Sequence, residues 1–215
     1  MIKLMEFHRS GNSVKVRIAL NYKGIPFETE EMSGADRSPL IRAANWPFVP
    51  VIVDGDVVMR DSEAILQYLE ANYRDRPSLT PATAEEIRQG DALLAETRSR
   101  VGPILGRMYG QGMKAPADRD PRALAGIGDE LVKAVEPLEK ALEGKKFLLG
   151  DRMSYHDILI AGALWMTRPR PEFIAVSPIW AFFAEHISLP ARFKNLHAWL
   201  DRVLAYDREP AGASA

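Results

Sequence analysis

Between an apolar run, Ile2–Phe7, and an amphipathic stretch that follows, the chain sets Ser10, Gly11, Asn12 and Ser13 side by side. A hydroxyl, a bare backbone, an amide and a second hydroxyl at a helix start make a place for an anion. Short side chains donate at close range, and the first N–H groups of a helix have no partner within it. The helix dipole adds partial positive charge at the same spot. The same residues also have a purely structural use: Ser10 is a good N-cap, and Asn12 or Ser13 could cap equally well.

Other chemistries are closed by composition. The chain has no cysteine, so disulfides, protein thiolates, CxxC redox pairs and cysteine metal sites are excluded. Its four histidines, His8, His156, His186 and His197, fall in no metal-ligand spacing, and no metal is expected. A net charge of −1, without a basic run, argues against nucleic acid. No signal-peptide pattern or stretch of ~18 apolar residues is present, so no membrane is expected and the expected location is the cytoplasm.

Two domains are expected from 215 residues with 47% hydrophobic content. The first, 1–77, alternates between patterns. Ile2–Phe7 reads as a strand and Asn12–Lys23 as a helix with Val16, Ala19 and Leu20 on one face, stopped by Gly24. Pro26–Glu31 reads as a strand and Arg37–Ala44 as a short helix. Val49–Val53 and Val57–Arg60 are strands joined across Asp54-Gly55, a strong hairpin signal. Asp61-Ser62-Glu63 then opens a helix carrying Ile65, Tyr68 and Leu69, with Ser62 as its cap. The order βαβαββα predicts a parallel pair extended by antiparallel strands, a small mixed sheet flanked by helices.

A Pro- and Ser-rich linker, 78–83, leads into an all-helical domain, 84–215. Helices are expected over Ala84–Tyr109, kinked or broken at Gly102-Pro103, and over Pro121–Leu142, Ser154–Trp165, Ile179–His186 and Ala191–Leu204. Pro210–Ala215 reads as a loose tail. The fold class is thus α/β plus all-α.

Three motifs carry a resemblance. Val49-Pro50-Val51-Ile52 before the Asp-Gly hairpin, with Asp61-Ser62-Glu63-Ala64-Ile65-Leu66-Gln67-Tyr68-Leu69 after it, resembles the glutathione-binding half of the glutathione S-transferases. The opening Ser10-Gly11-Asn12-Ser13 turn is similar to that of bacterial members with a serine or threonine there. Gly150-Asp151 with Ser154 and Asp157 matches the family's helical-domain signature. The motifs lie in family order across most of the chain.

The resemblance implies a thioredoxin-like N-terminal domain that binds glutathione as co-substrate, a helical domain that shapes the pocket for a small hydrophobic electrophile, and a homodimer. It implies a transferase that uses bound glutathione as a thiolate. A free thiol near pKa ~8.5 is only about 3% ionised at neutral pH. Lowering that pKa by ~2 units takes ~2.7 kcal/mol. A hydrogen bond to a charged group gives ~1.5–3 kcal/mol and a helix N-terminus roughly 0.3–2 more. No general base is then needed. Ser10 matches the hydroxyl that donates to the sulfur, and the Asn12 amide is its rival.

Pro50 matches the family's cis proline, which would turn the N–H and C=O of Val49 toward the cysteinyl part of glutathione; a trans proline opening an edge strand is the alternative. Asp61 and Ser62 match the pair that holds the γ-glutamyl end, a role compatible with capping. Many members carry Gly-Lys where this chain has Pro47-Phe48. The usual anchor of the glycyl carboxylate is therefore missing, with Arg37 and Arg42 as substitutes. Ser154 and Asp157 form a capping box that serves folding, and His156 inside the box reads as a surface or packing histidine rather than a catalytic one. Phe7, Met108, Tyr109, Met113 and Trp165 fall at pocket positions, although such residues at helical spacing are as readily core. The alternatives are a non-catalytic ligand- or partner-binding relative and a glutathione-dependent isomerase or peroxidase.

Overall fold

The computed structural model describes residues 1–209. The expected loose tail, Pro210–Ala215, lies outside the described residues. The described residues form two compact units: Met1–Thr80 together with Val203–Glu209, and Pro81–Arg202. A helical domain is expected from 84 to 215, whereas the second unit stops at Arg202 and Val203–Glu209 belong to the first.

In the first unit, strands β1 (Ile2–Glu6), β2 (Phe27–Glu31), β3 (Val51–Asp54) and β4 (Val57–Arg60) alternate with helices α1 (Gly11–Lys23), α2 (Ser38–Ala44) and α3 (Ser62–Asn72). The sheet order is β2-β1-β3-β4. β1 and β2 run parallel from Ile2↔Phe27 to Glu6↔Glu31, β3 lies antiparallel to β1 at Leu4↔Ile52, and β4 is antiparallel to β3. This is a thioredoxin-like domain with a mixed four-stranded sheet. Ile2, Leu4, Val14, Ile18, Leu20, Ile65 and Leu69 are fully buried, the period-2 face of β1 meeting the helices. Gly24 takes φ 63° at the end of α1, the left-handed cap that glycine tolerates.

Two polar anchors hold the edges of this unit. Asp54 Oδ2 accepts from Tyr68 Oη at 2.9 Å and Tyr73 Oη at 2.6 Å, tying the hairpin to α3. Glu70 accepts from Lys23 Nζ at 2.5 Å, Ser78 Oγ at 2.9 Å and Leu79 N at 3.0 Å. Partial burial alone would raise the Glu70 pKa, but these donors hold it down at about 2.

The second unit contains α4 (Ala84–Gly112), α5 (Pro121–Ala141), α6 (Tyr155–Leu164), α7 (Pro171–Val176), α8 (Pro178–His186) and most of α9 (Lys194–Leu204). α4 opens on a capping box, with Glu86 N donating to Thr83 Oγ1 at 3.1 Å and Thr83 N donating back to Glu86 Oε2 at 3.1 Å. Of the kink or break expected at Gly102-Pro103, the break does not occur, and Pro103 lies inside one continuous helix. Proline removes a single backbone donor, and burial of Leu94, Val101, Ile104, Leu105 and Met108 on one face outweighs that loss. Helix α7 was not expected from the sequence, and α9 begins at Lys194 rather than Ala191.

Asp157 is the polar centre of this unit. Fully buried, it accepts from Ser154 N (2.8 Å), Ser154 Oγ (2.7 Å), Leu148 N (2.8 Å) and Trp199 Nε1 (2.8 Å). The neighbouring His156 is fully buried as well, with Nε2 2.9 Å from Asp91 Oδ1. A Cβ at Gly90 would stand 2.4 Å from the His156 ring, so only glycine admits this close packing. No described helix is long and apolar enough to cross a membrane.

Candidate functional site

The first unit contains a cavity of about 380 Å³ lined by Phe7, Ser10, Asn12, Arg37, Trp46, Phe48, Val49, Pro50, Asp61 and Ser62. Ser10, Asn12, Val49, Pro50, Asp61 and Ser62, singled out for thiolate or glutathione contact, all lie on this wall. They arrive from three places: the end of β1 with the start of α1, the approach to β3, and the start of α3.

Ser10 is the N-cap residue of α1, in extended conformation at φ −106° and ψ 123°, but its hydroxyl makes no capping hydrogen bond. Its backbone does the local work: Ser10 N donates to Phe7 O and Ser10 O accepts from Val14 N, each at 2.9 Å. The purely structural use of the side chain is thus not the one adopted. Asn12 is exposed, and its Oδ1 accepts from Lys15 Nζ at 2.9 Å. Ser13 turns inward, with its Oγ buried and without a partner among the described residues.

The Val49–Pro50 peptide bond is cis. Pairing between β1 and β3 reaches only Met5↔Val51, so Val49 lies beyond the ladder at the cavity wall. At the third corner the structure corrects one assignment. Asp61, not Ser62, caps α3: its Oδ1 accepts from Glu63 N at 2.9 Å and Ala64 N at 3.1 Å. Ser62 occupies the first helical position, is buried, and lines the cavity. Asp61 also holds φ 70° and ψ 124°, a left-handed φ that costs a non-glycine residue about 1–3 kcal/mol. Such strain gathers at ligand sites, and nothing in local propensity announces it.

Arg37 was one of two substitutes for the missing lysine, and it alone lines the cavity. Its guanidinium lies 4.4 Å from the centre of the Phe7 ring, and its Nη1 is buried without a hydrogen-bond partner among the described residues. A buried donor left unpaired costs about 1–3 kcal/mol, which an anionic ligand would recover. Arg42 instead donates to Ser38 Oγ at 2.9 Å on the exposed face of α2. Trp46 and Phe48, not anticipated from sequence, form an edge-to-face pair at 5.3 Å on the cavity wall, with Arg60 4.6 Å over the Trp46 ring. Phe48 remains 58% exposed where the family's lysine would be.

The pocket positions expected in the helical domain are dispersed. Trp165 is buried in an aromatic cluster, 4.5 Å from Trp180 and 6.1 Å from Phe173, and Met108 is fully buried. Both are core, because a flat aromatic or flexible thioether gains most where it is enclosed. Tyr109 and Met113 are exposed on α4 and at its cap. The helical unit has its own cavity of about 570 Å³, walled by residues such as Arg119, Leu124, Gly128 and His186 and not by these four.

Ligand atoms of Glu6, His8 and Glu209 lie within 4.8 Å of one another. That grouping is a poor cation site, because the Glu6 carboxylate is already paired with the buried Arg17 guanidinium.

Two family models match the chain: the glutathione S-transferase N-terminal domain over residues 4–77 and the glutathione S-transferase C-terminal domain over residues 121–202. Glutathione S-transferase 3 of Zea mays is 30% identical over 210 residues, covering 92% of this chain and 94% of its own. A maleylpyruvate isomerase from Ralstonia sp is 36% identical over 110 residues, 49% of this chain and 51% of its own. In fold, the chain is similar to the theta class glutathione S-transferase of Xanthomonas axonopodis pv. citri, solved with glutathione bound. The TM-score is 0.72 at 24% identity, covering 99% of this chain and 98% of that one.

Proposed function

The chain belongs to the glutathione S-transferase family, and from that footing we propose that it binds glutathione in the Ser10 cavity and uses it as a thiolate nucleophile. The observation that carries this is the cavity lining: Ser10, Asn12, Val49, Pro50, Asp61 and Ser62 face one space of about 380 Å³.

Each residue has a task in this scheme. The γ-glutamyl carboxylate lies at the N-terminus of α3 against Ser62, where helix N–H groups favour an anion. Asp61 keeps Oδ2 for the ammonium, since Oδ1 is occupied by the helix. Val49 pairs its backbone with the cysteinyl residue as an added strand. Arg37 supplies the cation for the glycyl carboxylate, a charge-assisted contact for its unpaired Nη1. The thiol then stands at the Ser10 turn. Its proton leaves to solvent, the Ser10 hydroxyl and the start of α1 stabilise the sulfur anion, and the sulfur attacks the electrophilic carbon as the leaving group departs. The partner substrate is a small hydrophobic electrophile, and the protein acts as a cytoplasmic homodimer in detoxification.

A second reading has its own support. The maleylpyruvate isomerase relative suggests a glutathione-dependent isomerase, in which the thiolate adds to a double bond and is expelled after rotation. Turnover assays with glutathione and chlorinated arenes, epoxides, enals, hydroperoxides and maleylpyruvate separate these outcomes. Conjugate formation that is lost in Ser10→Ala supports the transferase. Isomerisation without net consumption of glutathione supports the second reading. Binding of glutathione with no turnover of any compound leaves a ligand-binding relative.

A further inference from the structure

Arg17 is fully buried on α1 and makes three directed contacts. Its Nη1 pairs with the Glu6 carboxylate at the end of β1. Its Nε donates to Asp207 Oδ1 at 2.7 Å, and its Nη2 donates to the backbone carbonyl of His8 at 2.9 Å. His8 stands two residues before Ser10. We propose that the segment Tyr206–Glu209 is a working part of the glutathione site, and that Asp207, acting through Arg17, is a positioning residue for the Ser10 turn.

The geometry works because a guanidinium is planar and its N–H directions are fixed. Two carboxylates that grip Nη1 and Nε fix the plane and heading of the guanidinium, and the His8 carbonyl accepts along one of the two N–H directions of Nη2. The segment is held against α1 independently. Asn21 Nδ2 donates to Tyr206 O at 3.0 Å and Arg208 O at 2.9 Å, and the Tyr22 and Tyr206 rings meet edge-on at 5.4 Å. Glu209 Oε1 lies 2.7 Å from His8 Nδ1, so the segment touches the side chain of His8 as well as fixing its carbonyl. Thiolate stabilisation depends on donor placement at the ångström scale, and the turn's placement is set here by residues some 190 positions away.

The inference rests on the reading that the Ser10 turn ionises glutathione. The experiment is a pH titration of the thiolate ultraviolet absorbance of bound glutathione in the full chain. Asp207→Asn is suited to it because the amide keeps the shape of the side chain while Arg17 keeps its contacts with Glu6 and the His8 carbonyl. Glu209→Gln is the second variant, at a position 48% exposed, and decides the matter if Asp207→Asn does not fold. Ser10→Ala is the control. The expected result is a bound-thiol pKa raised by about one unit in Asp207→Asn, roughly tenfold less thiolate below that pKa. Glu209→Gln shifts it less, in the same direction, and glutathione affinity at about pH 7 stays within about threefold in both. If Ser10→Ala raises the pKa while Asp207→Asn and Glu209→Gln leave it at the wild-type value, whatever they do to stability, the inference is overturned. If the wild type forms no thiolate, or Ser10→Ala changes nothing, the reading of the Ser10 turn itself fails.

Discussion

Lys15 Nζ donates to Asn12 Oδ1 at 2.9 Å, which commits the carbonyl end of the Asn12 amide and leaves its nitrogen as the end able to donate. Ser10, on the same cavity wall, has a hydroxyl unspent on capping. Asn12 is exposed and Ser10 half-buried, so a bond from Ser10 to a sulfur anion is less diluted by water. Asn12→Ala is therefore expected to lower kcat/KM for conjugation by about threefold, the scale of one modest hydrogen bond. Steady-state kinetics at neutral pH measures it, and a loss beyond that of Ser10→Ala would move the thiolate donor to Asn12.

At the start of α3 one carboxylate has two uses. Asp61→Asn keeps an oxygen for Glu63 N and Ala64 N but removes the charge that faces the ammonium. It is expected to raise the glutathione KM several-fold with little change in Tm. Asp61→Ala loses the cap as well, about 1 kcal/mol, or roughly 2–4 °C in a chain of this size. Kinetics and thermal melts of both variants separate binding from capping.

Arg37 and Arg42 lie on or next to α2 but differ in what they face. Arg37→Met is expected to raise the glutathione KM about tenfold, the scale of one charge-assisted contact, and Arg42→Met to leave it unchanged. Isothermal titration with glutathione checks the order. Equal effects would detach Arg37 from the tripeptide.

Much of this arrangement is legible in the sequence, for a physical reason. The order of strands and helices follows from periods of 2 and 3.6, Asp54-Gly55 announces its hairpin, and Ser154 with Asp157 spells a cap within four residues. What is not legible depends on distant partners. Arg17 looks like a surface arginine until Asp207 is brought to it, and Trp165 looks like a pocket residue until Trp180 and Phe173 enclose it. Continuity of α4 through Pro103 is decided by what its apolar face packs on, not by the proline alone. Helix α7 is six residues among prolines and arginines, too short for a period to show. The choice of Asp61 over Ser62 as cap turns on a backbone angle that neither residue prefers.

Glu6 gives a pH dependence whose sign can be worked out. Burial pushes its pKa up from 4.5 to about 7 against the pull of Arg17, with the nearby charges of Glu209 and Glu31 adding to the rise. The folded protein therefore holds this proton more tightly than the unfolded chain. The stabilisation is complete below pH 4.5 and is lost as pH rises through about 7. Denaturant unfolding is expected to show stability falling between about pH 5 and about pH 8, with a shallower fall in Glu6→Gln. Glu70 does not interfere, because its depressed pKa acts only below 4.5. The pairing of His8 with Glu209 is common to both proteins, so their difference isolates Glu6. An identical slope in the two would remove Glu6 as the source.

Everything proposed for catalysis depends on whether the Ser10 turn turns glutathione into its thiolate. Thiolate absorbance of bound glutathione, titrated against pH in the wild type and in Ser10→Ala, answers this without choosing an electrophile. The wild type should ionise its bound thiol with a pKa about 2 units below the free value of ~8.5, and Ser10→Ala should return most of that shift. A wild type whose bound thiol ionises no more readily than free glutathione would contradict the mechanism outright.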